Sequence, residues 1–463
     1  MDSFYEQEIQ DYPESIPSLP VVRSAEMPML WDEEHQRLID SCVKSKSLYE
    51  MYLQLPVLAA ALEDNQTLKD NNFSVAHTVN ALNRADWSML ELLHSMDHDV
   101  VQSIVKNTFA YDMIQGNIRC FPMPRRASDV IPGVYVIGLS IDGQNGRFLN
   151  IKEMETVVEE MKEYVAGYKA HIKYQSAPTS LSRDEAHARR HINHVDGFAG
   201  GAMKKDDPAF IKKEEEMPSI EALIKTFEKM CDRSIDSTGL IRMHQSPLYV
   251  GCSKHLFSRT SVYGHESVRH INKPLGLTIS ILRKLGHRVQ LTIGNVVRVW
   301  KADQLPKAEQ LVTTLAGSLV YQHGFNATEA GGTGYGTITD EEGLRTNTAY
   351  LISGVKIITS NLRDSLQEIG LRQRYIEDMN RIHVQIVKSK EWLHDCNKLL
   401  ESLPPNFQWG EQITELEAVA DEHKRILEDL KEARKFWNLI LQIQNIVYEE
   451  TGRGLPPPYE YES

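Results

Sequence analysis

Two side-chain chemistries stand close together in LYVGCSKHLFSRTSVY, residues 248–263: the phenols of Tyr249 and Tyr263 and the guanidinium of Arg259. A strand reading ends at Tyr249-Val250-Gly251, Cys252-Ser253 lies in the turn, and a helix then puts Arg259 and Tyr263 on one side. Gly251 lets the chain turn tightly between strand and helix. Arg259 is far enough along that helix to point back over the strand end, where a fixed guanidinium holds a phosphate or carboxylate in two-pronged fashion. A phenol beside it can carry a proton. Further on, AEQLVTTLAGSLVYQHGFNATEAGG (residues 308–332) opens a helix with Glu309 and places Gly324-Phe325-Asn326 after its end. Taken singly, Arg259 reads as a surface ion-pair partner and Glu309 as an acid suited to a helix N-terminus.

Taken in order, these residues resemble the GIY-YIG superfamily. The resemblance lies in the second signature strand (Tyr249-Val250-Gly251), the Ser253-x-x-Leu256-x-x-Arg259 helix, the helix-borne Glu309 and the closing Gly324-Phe325-Asn326, all within residues 239–336. It implies that tyrosines and arginine orient an attacking group and that the glutamate holds a divalent metal in the nucleases, roles that fall on Tyr249, Arg259 and Glu309. The first signature has two possible sources. Gly239-Leu240-Ile241 is near but lacks the tyrosine; Gly133-Val134-Tyr135 has it but requires a long insertion. The second is preferred, because Pro132-Gly133-Val134-Tyr135 looks like a strand entering a sheet.

The wider layout, a helical N-terminal region, an interrupted core and a long helical C-terminal portion, is similar to that of fungal arginine-containing cyclodipeptide synthases. That likeness implies condensation of an arginyl and a second aminoacyl group, taken from two aminoacyl-tRNAs, into a cyclic dipeptide for secondary metabolism. Tyr249, Tyr135, Arg259 and Glu309 are then the catalytic residues, and Ser253, Lys254 and Asn326 lie against substrate. The aminoacyl ester is already activated, so no cofactor is expected. The alternative is a GIY-YIG endonuclease with Mg2+ at Glu309, although no zinc finger, helix-turn-helix or basic tail accompanies the core. A non-catalytic helical scaffold is the third reading.

The elements that must position these residues follow from apolar spacing. The expected class is α+β: a small GIY-YIG-like mixed core flanked by a helical N-terminal region and a C-terminal helical hairpin. Residues 1–30 read as a flexible arm and 31–130 as helical. Met89, Leu90, Leu93, Met96, Val100, Val101, Ile104 and Val105 recur at helical spacing behind an N-cap at Asp86. Residues 131–175 read as a β-branched strand, IPGVYVIGLSI, closed by DGQNG and followed by a helix from Ile151. Residues 176–218 are polar and read as an inserted loop. Within it, His187, His191 and His194 share a face but lack the acidic partner of a metal motif, so they read as a solvated helix surface. Residues 219–336 make the core, with LIRM, PLYVG, QLTIG and VVRVW as strands. Residues 337–463 read as a hairpin broken at Pro404-Pro405, with the stripe Leu362, Leu366, Ile369, Ile376, Met379, Ile382 and Ile386 suited either to homo-oligomer contacts or to packing within the chain. Pro456-Pro457-Pro458-Tyr459 is a WW-domain motif.

Charge separates the core from the rest. The 463 residues carry a net −13, yet residues 239–336 hold 11 Lys/Arg against 4 Asp/Glu. That local +7 leaves −20 on the remainder, so a basic module faces an anion such as a polynucleotide backbone. Five scattered cysteines form no CxxC pair, which argues against a zinc ribbon or a disulfide framework. No signal peptide or spanning apolar run is evident, and the expected location is cytoplasmic, without a membrane partner.

Overall fold

The computed structural model describes residues 33–44, 47–84, 86–124, 131–177, 181–201, 207–234, 236–299, 301, 303–331, 341–403 and 414–431. The expected arm over 1–30, Pro404-Pro405 and the Pro-rich tail lie outside them, as does the glycine-rich segment from residue 332. In chain order the elements are α1 (Glu33–Lys44), α2 (Tyr49–Asp64), α3 (Gln66–Asp70), α4 (Ala76–Arg84), α5 (Trp87–Ser95), α6 (His98–Val105), α7 (Phe109–Gln115), β1 (Gly133–Ile141), α8 (Ile151–Ser176), α9 (Arg183–Gly197), α10 (Met217–Met230), β2 (Leu248–Ser253), α11 (Leu256–Ser261), α12 (Lys273–Lys284), β3 (Val289–Arg298), α13 (Gln304–Ala316) and α14 (Glu341–Glu401). Residues 414–431 are also helical. The class is α+β. By contact the chain divides into two units: Met1–Ile39 with Tyr52–Ile358, and Asp40–Met51 with Thr359–Ser463.

The first unit is built on a three-stranded sheet in the order β2-β1-β3, with both pairings antiparallel. All nine residues of β1 are buried, as a near-continuous apolar run in a central strand requires. Alternation gives the sheet two faces. Tyr135, Ile137, Leu139 and Ile141 join the core formed with α8, α10 and α12. The other face meets α7 at Gly138, where Ala110 packs directly, and α13 lies along β2 and β1. Val134 pairs with Val297 and Tyr135 with Asn295, so Val296 is an extra residue on β3. This bulge sits beside Tyr135, where it raises the local twist.

Several boundaries differ from expectation. The apolar series from Met89 to Val105 forms two helices because Asp97 accepts from Asp99 N and starts α6 afresh; Asp86 does cap α5, accepting from Met89 N. LIRM is not a strand, and Gly239-Leu240-Ile241 lies outside the sheet. QLTIG and VVRVW are not a strand pair: residues 289–298 run as the single strand β3, Val299 follows it, and Trp300 lies outside the described residues.

The segment expected as an inserted loop carries α9, opened by a capping box in which Ser182 Oγ accepts from Glu185 N and Glu185 accepts from Ser182 N. α9 lies so close to α8 that a Cβ on Gly167 would sit 2.3 Å from the Ala188 carbonyl oxygen. Its histidines do not share one solvated face. His187 is exposed near Glu163, whereas His191 is buried 3.2 Å from Glu160, which also binds Lys284. Burial, and then the Lys284 charge, hold the His191 pKa below the usual histidine range.

In the second unit, Arg372 pairs with Glu50 and Glu368, and Trp392 stacks on His423 with ring centroids 4.4 Å apart. Leu366, Ile376, Met379 and Ile386 of the apolar stripe are exposed. No helix among the described residues is long and apolar enough to cross a membrane.

Candidate functional site

The sheet brings the two tyrosine strands together. Tyr135 lies opposite Gly251, and Ile137 opposite Tyr249, in the β1–β2 register. Tyr135 therefore belongs to a strand paired with Tyr249-Val250-Gly251, which residues 239–241 do not. A Cβ on Gly251 would lie 2.5 Å from the Tyr135 hydroxyl and 2.7 Å from Cζ. The missing side chain is what lets the phenol lie across β2.

α11 and the turn that follows it supply the partners. Arg259 Nε donates to the Tyr135 hydroxyl at 3.1 Å, and the Tyr263 hydroxyl stands 3.3 Å from the same oxygen. The rings of Tyr135, Tyr249 and Tyr263 form a triangle with centroids 6.0, 6.1 and 6.3 Å apart. All three tyrosines are buried while Arg259 is exposed, so the guanidinium reaches solvent while its Nε holds a buried phenol. Burial raises the Tyr135 pKa well above the ordinary phenol value, with a smaller upward contribution from Tyr249; Arg259 and Tyr263 oppose it. Burial also raises Tyr263, helped by Tyr249 and Tyr135. Both phenols are neutral near pH 7. At hydrogen-bond distance, two neutral hydroxyls have the geometry to pass a proton between them rather than to act as phenolates.

Glu309 sits at the other face of the same strand end. Alternation turns Cys252 away from Gly251 and Tyr135 and toward α13. The Cys252 thiol donates to Glu309 Oε2 at 3.2 Å, and Gly331 N–H donates to the same oxygen at 2.8 Å. Burial pushes the Glu309 carboxyl up, against the hydrogen bonds from Gly331 and Cys252 and the positive charge of Arg259. Burial likewise pushes the Cys252 thiol up, with Glu309 adding to it. Arg259 thus acts electrostatically on both halves, the phenol cluster and the thiol–carboxyl pair.

The expected substrate-binding residues have other partners. Asn326, expected against substrate, spends its side chain on β2: Oδ1 accepts from Val250 N at 2.9 Å, and Nδ2 donates to Val250 O at 2.7 Å. It pairs like a short strand and fixes the position of Tyr249 and Gly251. Ser253 Oγ accepts from His255 N at 3.0 Å and shapes the turn into α11. Lys254 is half-buried in that turn. Glu309 does not open its helix but is the sixth residue of α13. The four-residue spacing from Arg259 puts Tyr263 on the arginine side, but no sequence feature points to its bond with Tyr135. The Cys252–Glu309 pair had no signal, because nothing in a sequence brings residues 252 and 309 together.

Magnesium characteristically takes one or two carboxylates plus waters and substrate phosphate oxygens. Glu309 offers a single carboxyl whose Oε2 already accepts two donors. Among the described residues, no group of three or more His, Cys, Asp and Glu is arranged to hold a metal. As arranged here, the Glu309 carboxyl is engaged by Cys252 and Gly331, and by itself it does not make a magnesium site.

No protein-family model, no curated protein and no solved structure matches this chain.

Proposed function

We propose that this chain is a tRNA-dependent cyclodipeptide synthase of GIY-YIG-like design, joining an arginyl and a second aminoacyl group. The reading is carried by the hydroxyl pair of Tyr135 and Tyr263, with Arg259 Nε on the Tyr135 oxygen. Aminolysis of an aminoacyl ester moves one proton from the attacking amine to the departing 3′-oxygen. Two neutral hydroxyls in contact are suited to that transfer, and they need no assistance from ATP because the ester is already activated. The exposed guanidinium of Arg259, within a segment of net +7, supplies phosphate contacts to the acceptor end. The exposed stripe of α14 supports homo-oligomer formation through the C-terminal helices, and the cytoplasm is the natural place for aminoacyl-tRNA.

A second reading is a GIY-YIG nuclease. It is favoured by the Glu309 carboxyl lying at the end of β2 within the influence of Arg259, where Mg2+ and a scissile phosphate would meet. Expression of the full chain in a bacterium, with mass spectrometry of the medium, separates the two. Cyclic Arg-containing dipeptides support the synthase. Their absence, together with Mg2+-dependent nicking of branched DNA, transfers the site to the nuclease.

A further inference from the structure

We infer that the cavity between α6, α7 and the segment leading into β2 binds a guanine nucleotide unit, its base against the stacked rings of Tyr111 and His244 and its phosphate at Lys106. The cavity measures about 380 Å³, a size for a small ligand rather than for a few waters. Part of its lining is α7, which covers the sheet face opposite the Tyr135 ring. The site is therefore separate from the tyrosine cluster and goes beyond the synthase reading.

A break between two helices makes the cavity. α6 ends at Val105, and Asn107 takes a left-handed φ of 58°, a conformation that asparagine tolerates. Its side chain donates to the carbonyls of Ile104 and Ala316 at 2.9 and 3.0 Å and locks the turn. Gln245 Nε2 donates to Lys106 O at 2.8 Å, which ties the segment carrying His244 to α6. The Tyr111 and His244 rings then stack with centroids 3.7 Å apart and planes 10° from parallel. A base can extend that stack, since every base has a flat face to offer an aromatic ring.

The polar wall selects the base. Asp112 accepts from Ser103 Oγ at 2.7 Å and from Asn117 Nδ2 at 3.2 Å, and also from Thr108 Oγ1. With these donors turned onto the carboxylate, the atoms left for a ligand on this wall are mainly acceptors: the two hydroxyl oxygens, Asn117 Oδ1 and the remaining lone pair of Asp112 Oδ1. Guanine alone among the bases offers adjacent donors, N1–H and the N2 amine, on its pairing edge. Adenine and cytosine set an acceptor beside their amine, and uracil flanks one N–H with two carbonyls. Among the described residues, Asp112 pairs with no cation, and Lys106, which also lines the cavity, pairs with no carboxylate. A ligand with a donor edge at one end and a phosphate at the other answers both charges. A small guanidinium cation answers only the carboxylate and is opposed by Lys106.

The test is isothermal titration calorimetry of the full chain with GMP, AMP, guanosine, L-arginine and a short single-stranded RNA carrying one guanosine. The expected result is one saturable site per chain that takes GMP about tenfold or more tighter than AMP. Lys106→Gln is expected to weaken GMP about tenfold while leaving guanosine unchanged, a difference that a merely structural role would not produce. Asp112→Asn is expected to remove the preference for GMP over AMP. GMP bound at least as tightly as the RNA identifies a free nucleotide as the ligand. Tighter binding of the RNA, weakened by Lys106→Gln, identifies an unpaired guanosine of a polynucleotide, and either result upholds the site. No saturable binding of GMP up to about 5 mM, or of the RNA up to about 0.5 mM, overturns it. So do AMP bound as tightly as GMP, L-arginine bound more tightly than GMP, and binding of GMP or RNA that Lys106→Gln leaves unchanged.

Discussion

Gly251→Ala is the substitution that most sharply tests the packing of the tyrosine cluster. The added methyl would lie 2.5 Å from the Tyr135 hydroxyl and 2.7 Å from Cζ, inside any allowed contact, and Tyr135 itself is fully buried. Neither ring nor strand can yield freely, because β1 is paired on both sides. Overpacking of this kind costs about 1–3 kcal/mol. Displacing the phenol also weakens its bond from the charged Arg259 Nε, worth about 1.5–3 kcal/mol. The expected loss of stability is therefore about 2–5 kcal/mol, read as a lower denaturant midpoint at unchanged slope. A double-mutant cycle supplies the control. In a Tyr135→Leu background the ring is gone, and the cost of Gly251→Ala is expected to fall below about 1 kcal/mol. A Gly251→Ala protein within about 0.5 kcal/mol of wild type, or an equal cost in both backgrounds, would refute the close approach of ring and strand.

Asn326→Ala is expected to destabilise the first unit by about 2–4 kcal/mol in chemical denaturation, because it strips partners from both the N–H and the carbonyl of buried Val250. A loss under about 0.5 kcal/mol would show that Asn326 does not hold the strand. Asp196 supplies a pH dependence. Burial raises its carboxyl to about 6, against hydrogen bonds from Ala209 N–H and the Tyr164 hydroxyl. The folded state then binds the proton more tightly than the unfolded one, so this group lowers stability as pH rises from about 4 to 6, by roughly 3 kcal/mol. Relative to wild type, Asp196→Asn is expected to gain stability over that window; a parallel pH profile in the two proteins would contradict the assignment. Tyr263→Phe is expected to lower turnover about 10²-fold or more by breaking the hydroxyl pair, with denaturation changed little; unchanged turnover would remove Tyr263 from the relay.

Local pattern made much of the fold legible. The apolar run of β1, the N-cap at Asp86 and the helical spacing from Ile151 each depend on neighbours in the chain. The failures came where tertiary context decides. Gly294-Asn295 reads as a break between two strands, yet their pairing with Val136 and Tyr135 carries β3 straight through. His187, His191 and His194 read as a solvated helix surface, but the polarity of residues 183–197 hid that this helix docks, burying His191, Ile192, Val195 and Asp196. At the site, Tyr135, Tyr249 and Arg259 were legible as strand and helix residues. Asn326 enters through the Gly-aromatic-Asn of the resemblance, which implies a place against substrate; only the approach of residue 326 to β2 shows that the strand backbone takes both ends of its amide. The pairing of Cys252 with Glu309 likewise exists only once α13 packs along β2.

Turnover by Arg259→Ala tests the central claim most directly. Arg259→Ala removes one donor to the Tyr135 hydroxyl, which keeps Tyr263 as partner, so the account predicts a protein that still folds, less stable by about 1.5–3 kcal/mol, with cyclic dipeptide formation reduced about 10²-fold or more. An Arg259→Ala enzyme that folds and produces cyclic dipeptide at the wild-type rate would place the chemistry somewhere other than this cluster.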